Sequence, residues 1–206
     1  MELEEQVGER PMETLVLRVG YDGAAYAGFA EQEKQTHIKT VAGEVRRALR
    51  TVLRHDVDLT CAGRTDAGVH ARAQYVSLPL ATEEFEERSS QRLLRSLGAV
   101  LPDDIRVYEL FRAPSGFSAR FDARARRYRY RVATGPVAPL FCADWCWWIR
   151  TAQPGALDVE AMNEAARYLI GEHDFKSFCK AQSAVNKPTC RFVMSAFFEN
   201  ERVLGE

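Results

Sequence analysis

A chain of 206 residues that is 46% hydrophobic is large enough for one domain, or for two small ones that share a core. It contains no run of about 18 apolar residues, so we expect no transmembrane helix and no membrane partner. Its net charge of −1 excludes a uniformly basic RNA-binding protein, and its five irregularly spaced cysteines are typical of reduced thiols in a cytoplasmic protein without a zinc site.

In the first half of the chain, patterns of apolar residues predict alternating strands and helices. Residues 1–13 have no apolar periodicity and are predicted to be a mobile tail, after which alternation predicts a strand from Leu15. Apolar residues at helical spacing predict a helix that follows Thr40 as its N-cap. The remaining predicted elements are a strand opened by Val57 and Leu59, a strand containing Tyr75, Val76 and Leu78, a helix over 85–97 that ends near Gly98, and a strand containing Ile105 and Val107.

This order of strand, helix, strand, strand, helix and strand indicates an α+β fold. It makes residues 14–113 a ferredoxin-like half, in which a single sheet carries its helices on one face. The second half, residues 114–206, begins alike, with predicted strands at 128–132, 145–149 and 192–198 and a helix that follows Asp158 as its N-cap. Because a second copy of the pattern needs at least one more strand and helix, we expect this half to be incomplete.

A loop between the second and third predicted strands carries an acid and a base two residues apart, between two glycines. Glycine permits turns that other residues resist, and an arginine near an aspartate can hold that carboxylate ionised. Asp66, preceded by Arg64, is therefore a candidate nucleophile or general base. The alternative is an ordinary surface turn, in which such residues are also common.

Arginine is concentrated in one short segment of the chain. Within 20 residues lie Arg112, Arg120, Arg124, Arg126, Arg127, Arg129 and Arg131, whereas four glutamates cluster elsewhere, at 83–87. Such asymmetry can create a phosphate-binding face on a neutral protein, and arginine suits bidentate phosphate contacts. The alternative is a solvated strand with arginine on its outer face.

Several motifs, in order, resemble those of one enzyme family. The run Gly-Arg-Thr-Asp-Ala-Gly-Val-His-Ala at 63–71 resembles the catalytic-loop signature of the TruA-type tRNA pseudouridine synthases. Further similar segments are Tyr-Asp-Gly at 21–23, Leu-Pro-Asp-Asp-Ile at 101–105, Phe-Ser-Ala-Arg-Phe at 117–121, Arg-Tyr-Arg-Tyr at 127–130 and Gly-Glu-His-Asp-Phe at 171–175. The resemblance extends from about Leu15 to about Phe198, which is nearly the whole chain.

The resemblance implies a fold and an activity. The fold is that of the pseudouridine synthases, two ferredoxin-like (RRM-like) halves that share a mainly antiparallel sheet with helices on one face. The activity is isomerisation of uridines of the tRNA anticodon stem-loop to pseudouridine, by a cytoplasmic homodimer that needs no metal or cofactor. The family continues with a Met-Val-Arg motif that this sequence lacks, so the alternative is a catalytically inactive RNA-binding module.

The resemblance also assigns residues to roles. Asp66 is the expected nucleophile, and Arg64 orients it or contacts phosphate. Tyr128 is expected to stack on the target base, although from the residues alone it is an ordinary core aromatic of a strand. Arg124 and Arg126 are expected to bind RNA phosphate. Lys187 lies where the family has a basic residue, and is assigned to RNA; the alternative is a solvated side chain.

Overall fold

The computed structural model describes residues 11–31, 38–179 and 188–201, which belong to two compact units, Met1–Tyr128 and Arg129–Glu206. The boundary between the two units follows Tyr128, whereas the sequence placed a boundary between residues 113 and 114. Within the described ranges, no helix is long and apolar enough to cross a membrane.

In the residues that the structure describes, the first unit contains one four-stranded antiparallel sheet and three helices. Its elements are β1 (Met12–Tyr21), α1 (Val41–Leu53), β2 (Thr60–Cys61), β3 (Ala71–Ala81), α2 (Thr82–Glu87), α3 (Ser90–Val100) and β4 (Ile105–Ala113). The strand order is β2-β3-β1-β4, with antiparallel pairing throughout. This confirms the predicted α+β class and mainly antiparallel sheet, and the order is that of a ferredoxin-like unit.

The core of this unit lies between one face of the sheet and the helices α1 and α3. Alternate residues of β1, among them Leu15 and Leu17, pair in register with Leu78 and Val76 of β3 and belong to the same buried cluster. Burying each such side chain contributes about 1.5–3 kcal/mol. The Thr40 side chain accepts a hydrogen bond from the Gly43 amide, which confirms the predicted N-cap of α1.

Three predictions for this unit are corrected by the structure. Strand β1 begins at Met12, inside the segment predicted as a tail, and β2 is only two residues long and begins after Val57. The single helix predicted over 85–97 is two helices, because Ser89 adopts an extended conformation and caps α3 by accepting from the Arg92 amide. Helix α3 ends at Val100, two residues after Gly98, which confirms the prediction that Gly98 lies near its end; the next residue precedes a proline, a position that disfavours helical backbone.

The described residues of the second unit form two small sheets. Its elements are β5 (Val132–Gly135), β6 (Trp147–Arg150), α4 (Val159–Arg167), β7 (Gly171–Asp174) and β8 (Cys190–Val193), with short 3₁₀ turns at Ala143–Trp145 and Lys176–Phe178. Strands β5 and β6 are parallel, and β7 and β8 are antiparallel. Asp158 caps α4 by accepting from the Ala161 amide, as predicted.

The strands predicted in the second unit are displaced along the chain. The strand predicted at 128–132 is wrong for its first four residues, because β5 begins only at Val132. In the described part of the chain residues 128–131 belong to no strand, although the Arg131 carbonyl accepts from the Trp147 amide at 2.8 Å. The strand predicted at 145–149 begins two residues later, and the one at 192–198 is replaced by β8, which ends at Val193. Periodicity located the elements, but strand pairing determined their bounds.

Candidate active site

The loop that joins β2 to β3 presents Asp66 at the start of a tight turn. The Val69 amide donates to the Asp66 carbonyl at 3.2 Å, and Gly68, the third residue of the turn, has φ +77. A type II turn requires a positive φ at this position, which glycine adopts without steric cost. The turn therefore depends on Gly68 and leaves the side chain of Asp66 exposed.

The loop lies on a second segment, residues 21–29, which follows β1. The Phe29 amide donates to the Thr65 carbonyl at 3.0 Å, and the Gly68 amide donates to the Tyr26 carbonyl at 3.3 Å. These bonds hold the backbone on both sides of Asp66. Gly23 permits the close approach of the two segments, because a Cβ at this position would lie 2.0 Å from the carbonyl oxygen of Val69.

Two buried polar side chains contact the loop from inside the first unit. The Tyr21 hydroxyl lies 2.8 Å from Thr65 Oγ1, and Gln74 Nε2 donates to the Gly63 carbonyl at 2.5 Å. Tyr21 is 5% exposed and Gln74 is 8% exposed. Burial raises the pKa of Tyr21, although hydrogen bonds to Thr65 and Gln74 oppose the shift, so the hydroxyl is protonated at neutral pH.

The histidine at the end of the loop contributes to packing and hydrogen bonding. His70 Nδ1 lies 2.9 Å from Asp22 Oδ1 and 3.2 Å from the Gly23 amide nitrogen. The Asp22 carboxylate also accepts from the Ala24 amide at 3.0 Å. His70 therefore connects the end of the loop to the segment beneath it.

The structure places Arg64 and Asp66 on the loop with both side chains exposed. Across the ranges that the structure describes, no ion pair or hydrogen bond joins the Asp66 carboxylate to Arg64 or to another group. The loop thus presents a carboxylate with free lone pairs on a backbone held by several hydrogen bonds. This arrangement suits a nucleophile or general base, whose oxygen must reach a reacting atom.

Tyr128, at the end of the first unit, is 76% exposed and is not a core residue. Its hydroxyl is close enough to that of Tyr21 to contribute to the raised pKa of Tyr21, after burial as the main cause. Tyr128 therefore belongs to the surroundings of the loop. An exposed aromatic ring is available for stacking on a nucleobase.

The arginines of the segment 112–131 have different environments. Arg126 donates through Nε, at 2.9 Å, and through Nη2 to the Ala62 carbonyl, so it contacts the start of the loop. Arg124 is exposed and forms no ion pair with any described residue. Three other arginines of the segment form ion pairs with glutamates, and these are Arg112, Arg129 and Arg131. Lys187 lies outside the described residues.

Reasoning from the sequence gave no role at this site to two buried residues. Tyr21 and Gln74 could have been found as polar residues at positions in phase with the buried faces of β1 and β3. Burial raises the pKa of the Cys61 thiol against the opposing charges of three guanidinium groups, those of Arg64, Arg120 and Arg126. Arg120 therefore lies near the loop, and its sequence signals are its place in the arginine segment and in the motif at 117–121. The described residues contain no cluster of His, Cys, Asp or Glu that could hold a metal ion.

Comparison with known proteins identifies similar sequences over most of the chain. It is 48% identical over 169 residues to the tRNA pseudouridine synthase A of Streptomyces avermitilis, covering 80% of this chain and 56% of that protein. It is 39% identical over 190 residues to that of Chlorobium phaeobacteroides, covering 91% and 68%, and 36% identical over 192 residues to that of Caldicellulosiruptor bescii, covering 92% and 74%. The chain thus spans little more than half the length of the first of these relatives. No protein-family model matches it.

Proposed function

Because the chain belongs to the tRNA pseudouridine synthase A family, we propose that it isomerises uridines of tRNA to pseudouridine with Asp66 as the catalytic carboxylate. The observation that carries this proposal is the exposed Asp66 side chain, which has no partner among the described residues and lies on a loop held by hydrogen bonds on both sides. The substrate class, tRNA, and the reaction, pseudouridine synthesis, are taken from the name of the relatives.

The reaction requires one carboxylate and a pocket that retains the base. The glycosidic bond between C1′ and N1 of the uridine breaks, the uracil turns, a bond forms between C1′ and C5, the C5 proton is released, and N1 takes up a proton from solvent. The Asp66 oxygen can attack either the sugar or the base in this scheme. In either case the carboxylate must be without a competing partner when the uridine arrives, as the loop presents it among the described residues.

Binding of the uridine is assigned to groups around the loop. The target base must leave its stack at a cost of a few kcal/mol, and stacking on an aromatic ring returns about 1–3 kcal/mol. The exposed Tyr128 ring provides such a surface. Arg64 and Arg124 are exposed cations for the phosphates beside the flipped uridine, and Lys187 is assigned to RNA by the family resemblance alone.

Family membership also supports finer proposals. We propose that the substrate site is the anticodon stem-loop, that the protein acts as a homodimer in the cytoplasm, and that the second unit is part of a second ferredoxin-like half of a pseudouridine synthase fold. Light scattering of the purified protein measures the oligomeric state, and sequencing of modified tRNA measures the position of pseudouridine. A monomer with full turnover would contradict the homodimer.

The Asp66→Asn variant tests the proposed activity. The two side chains are nearly isosteric, so we expect the variant to fold and bind tRNA as the wild type does while pseudouridine formation is abolished. The measurement is tritium release from tRNA labelled at C5 of uridine, together with filter binding. Asp58→Asn is the matched control, since Asp58 is an exposed aspartate of the same unit that lies before β2. Substantial release by Asp66→Asn, or tRNA binding without release by the wild type, would refute the proposal.

A further inference from the structure

We infer that Tyr21 and Gln74 are positioning residues for Asp66, because they hold the loop residues on either side of Arg64 from inside the first unit. Neither residue contacts the substrate. The inference rests on the proposed function, because it assigns these residues to the presentation of the catalytic carboxylate.

The sheet brings these two side chains to the same place. Tyr21 is the last residue of β1, where the pairing with β3 shifts register between Val19 and Tyr21, and Gln74 pairs with Val19. Tyr21 belongs to the buried core cluster, and Gln74 is in phase with the buried Val76 and Leu78 of β3. Both positions would ordinarily be apolar, because a buried polar group is tolerated only when it is hydrogen-bonded.

Each of these buried polar side chains forms a hydrogen bond with a residue of the loop that carries Asp66. Gln74 donates to the carbonyl of Gly63, and the Tyr21 hydroxyl bonds the side chain of Thr65, so the residues before and after Arg64 are both held. Thr65 is held a second time through its carbonyl, which accepts from the Phe29 amide. Arg126 holds the Ala62 carbonyl from the exposed side. The backbone that leads into Asp66 is therefore held at three of the four residues before it, Ala62, Gly63 and Thr65.

This support matters because the carboxylate has no partner of its own. The Asp66 side chain makes no hydrogen bond within the described residues, so its position depends on the backbone that carries it. A misplacement of about 1 Å can reduce a reaction rate about 100-fold. We therefore expect loss of one internal hydrogen bond to slow the chemical step about 10-fold to 100-fold, without weakening the binding of tRNA.

The test removes the Tyr21 hydroxyl and leaves its ring in the core. Tyr21→Phe is expected to lower the single-turnover rate of tritium release about 10-fold to 100-fold, with the Kd for tRNA and the Tm nearly unchanged. Thr65→Val removes the same bond from the other side, so the double variant should be no slower than either single variant. Thr65→Ser keeps the hydroxyl and should restore most of the rate.

Gln74→Met and Tyr75→Phe complete the comparison. Gln74→Met removes the bond to the Gly63 carbonyl and should slow the reaction as Tyr21→Phe does. Tyr75→Phe removes a hydroxyl from the next residue of β3, whose side chain packs against Phe111, and should leave the rate unchanged. A Tyr21→Phe rate within twofold of the wild type, additive effects of Tyr21→Phe and Thr65→Val, or a loss explained entirely by lower Tm or weaker tRNA binding would overturn the inference.

A measurement without turnover separates this inference from the proposed function. If Tyr21 holds the loop, Tyr21→Phe should speed hydrogen exchange at the Phe29 and Val69 amides, which donate to the Thr65 and Asp66 carbonyls. Exchange in the centre of α1 should not change. If Tyr21→Phe exchanges faster at these amides while the wild-type protein shows no turnover, the role of Tyr21 in holding the loop is retained and the proposed activity is refuted. Unchanged exchange would overturn the positioning role, whatever the activity.

Discussion

Replacement of Gly23 by alanine is expected to displace the loop that carries Asp66 without touching a side chain of that loop. A Cβ at this position would lie 2.0 Å from the Val69 carbonyl oxygen and 2.6 Å from its carbon, and both atoms belong to the backbone. Since Cβ contacts under 3.0 Å are essentially never seen, one segment must retreat by about 1 Å. Val69 donates to the Asp66 carbonyl, so the displacement reaches the carboxylate.

The expected loss of activity follows from this displacement. A shift of about 1 Å corresponds to a loss of about 100-fold in rate, or about 2.7 kcal/mol of transition-state stabilisation. Overpacking of the two segments should also reduce the free energy of unfolding by about 1–3 kcal/mol. Single-turnover tritium release at saturating protein measures the first effect, and urea denaturation measures the second.

Gly98→Ala is the matched control for this prediction. Gly98 lies within α3, and a Cβ there would have no atom within 4 Å. The substitution should leave the rate unchanged and stabilise the helix by about 0.5–1 kcal/mol. A Gly23→Ala variant with wild-type rate would refute the close packing of the two segments, and an equal loss in Gly98→Ala would show that the effect is not specific to the loop.

Three further predictions concern a cap, an ion pair and a phosphate contact. Thr40→Ala removes the side-chain bond to the first turn of α1 and should lower the free energy of unfolding by about 1 kcal/mol, measured by urea denaturation; no change would contradict the cap. The hydrogen bond with Glu84 raises the pKa of His55. The resulting stabilisation should be complete below the unfolded pKa of about 6.5 and lost as the pH rises through the folded pKa, so Glu84→Gln should reduce Tm at low pH and have less effect at pH about 9. Equal effects at both pH values would contradict the ion pair. Arg124→Ala should weaken tRNA binding and lower the log–log salt slope by about one, whereas Arg95→Ala, on the exposed side of α3, should not; an unchanged slope would mean that Arg124 is solvated.

Elements with a strong apolar period were predictable from the sequence. Strand β1, helix α1 with its cap at Thr40 and the third and fourth strands follow from side chains that alternate, or recur every three to four residues, and their order yields the topology of the first sheet. The Asp66 loop was recognisable as well, because its glycines and its acid lie within a few residues of one another.

The tertiary structure decided what depends on residues far apart in the chain. The contact of Tyr21 with Thr65 joins residues 44 positions apart, and that of Arg126 with Ala62 joins residues 64 positions apart. Neither separation leaves a local pattern. The bounds of the strands after residue 128 were likewise set by pairing, since a strand exists only where a neighbour offers backbone hydrogen bonds. The sequence alone determined which carboxylate the loop would present, and the folded chain determined how that loop is held, because hydrogen bonds between distant segments form only when folding brings them together.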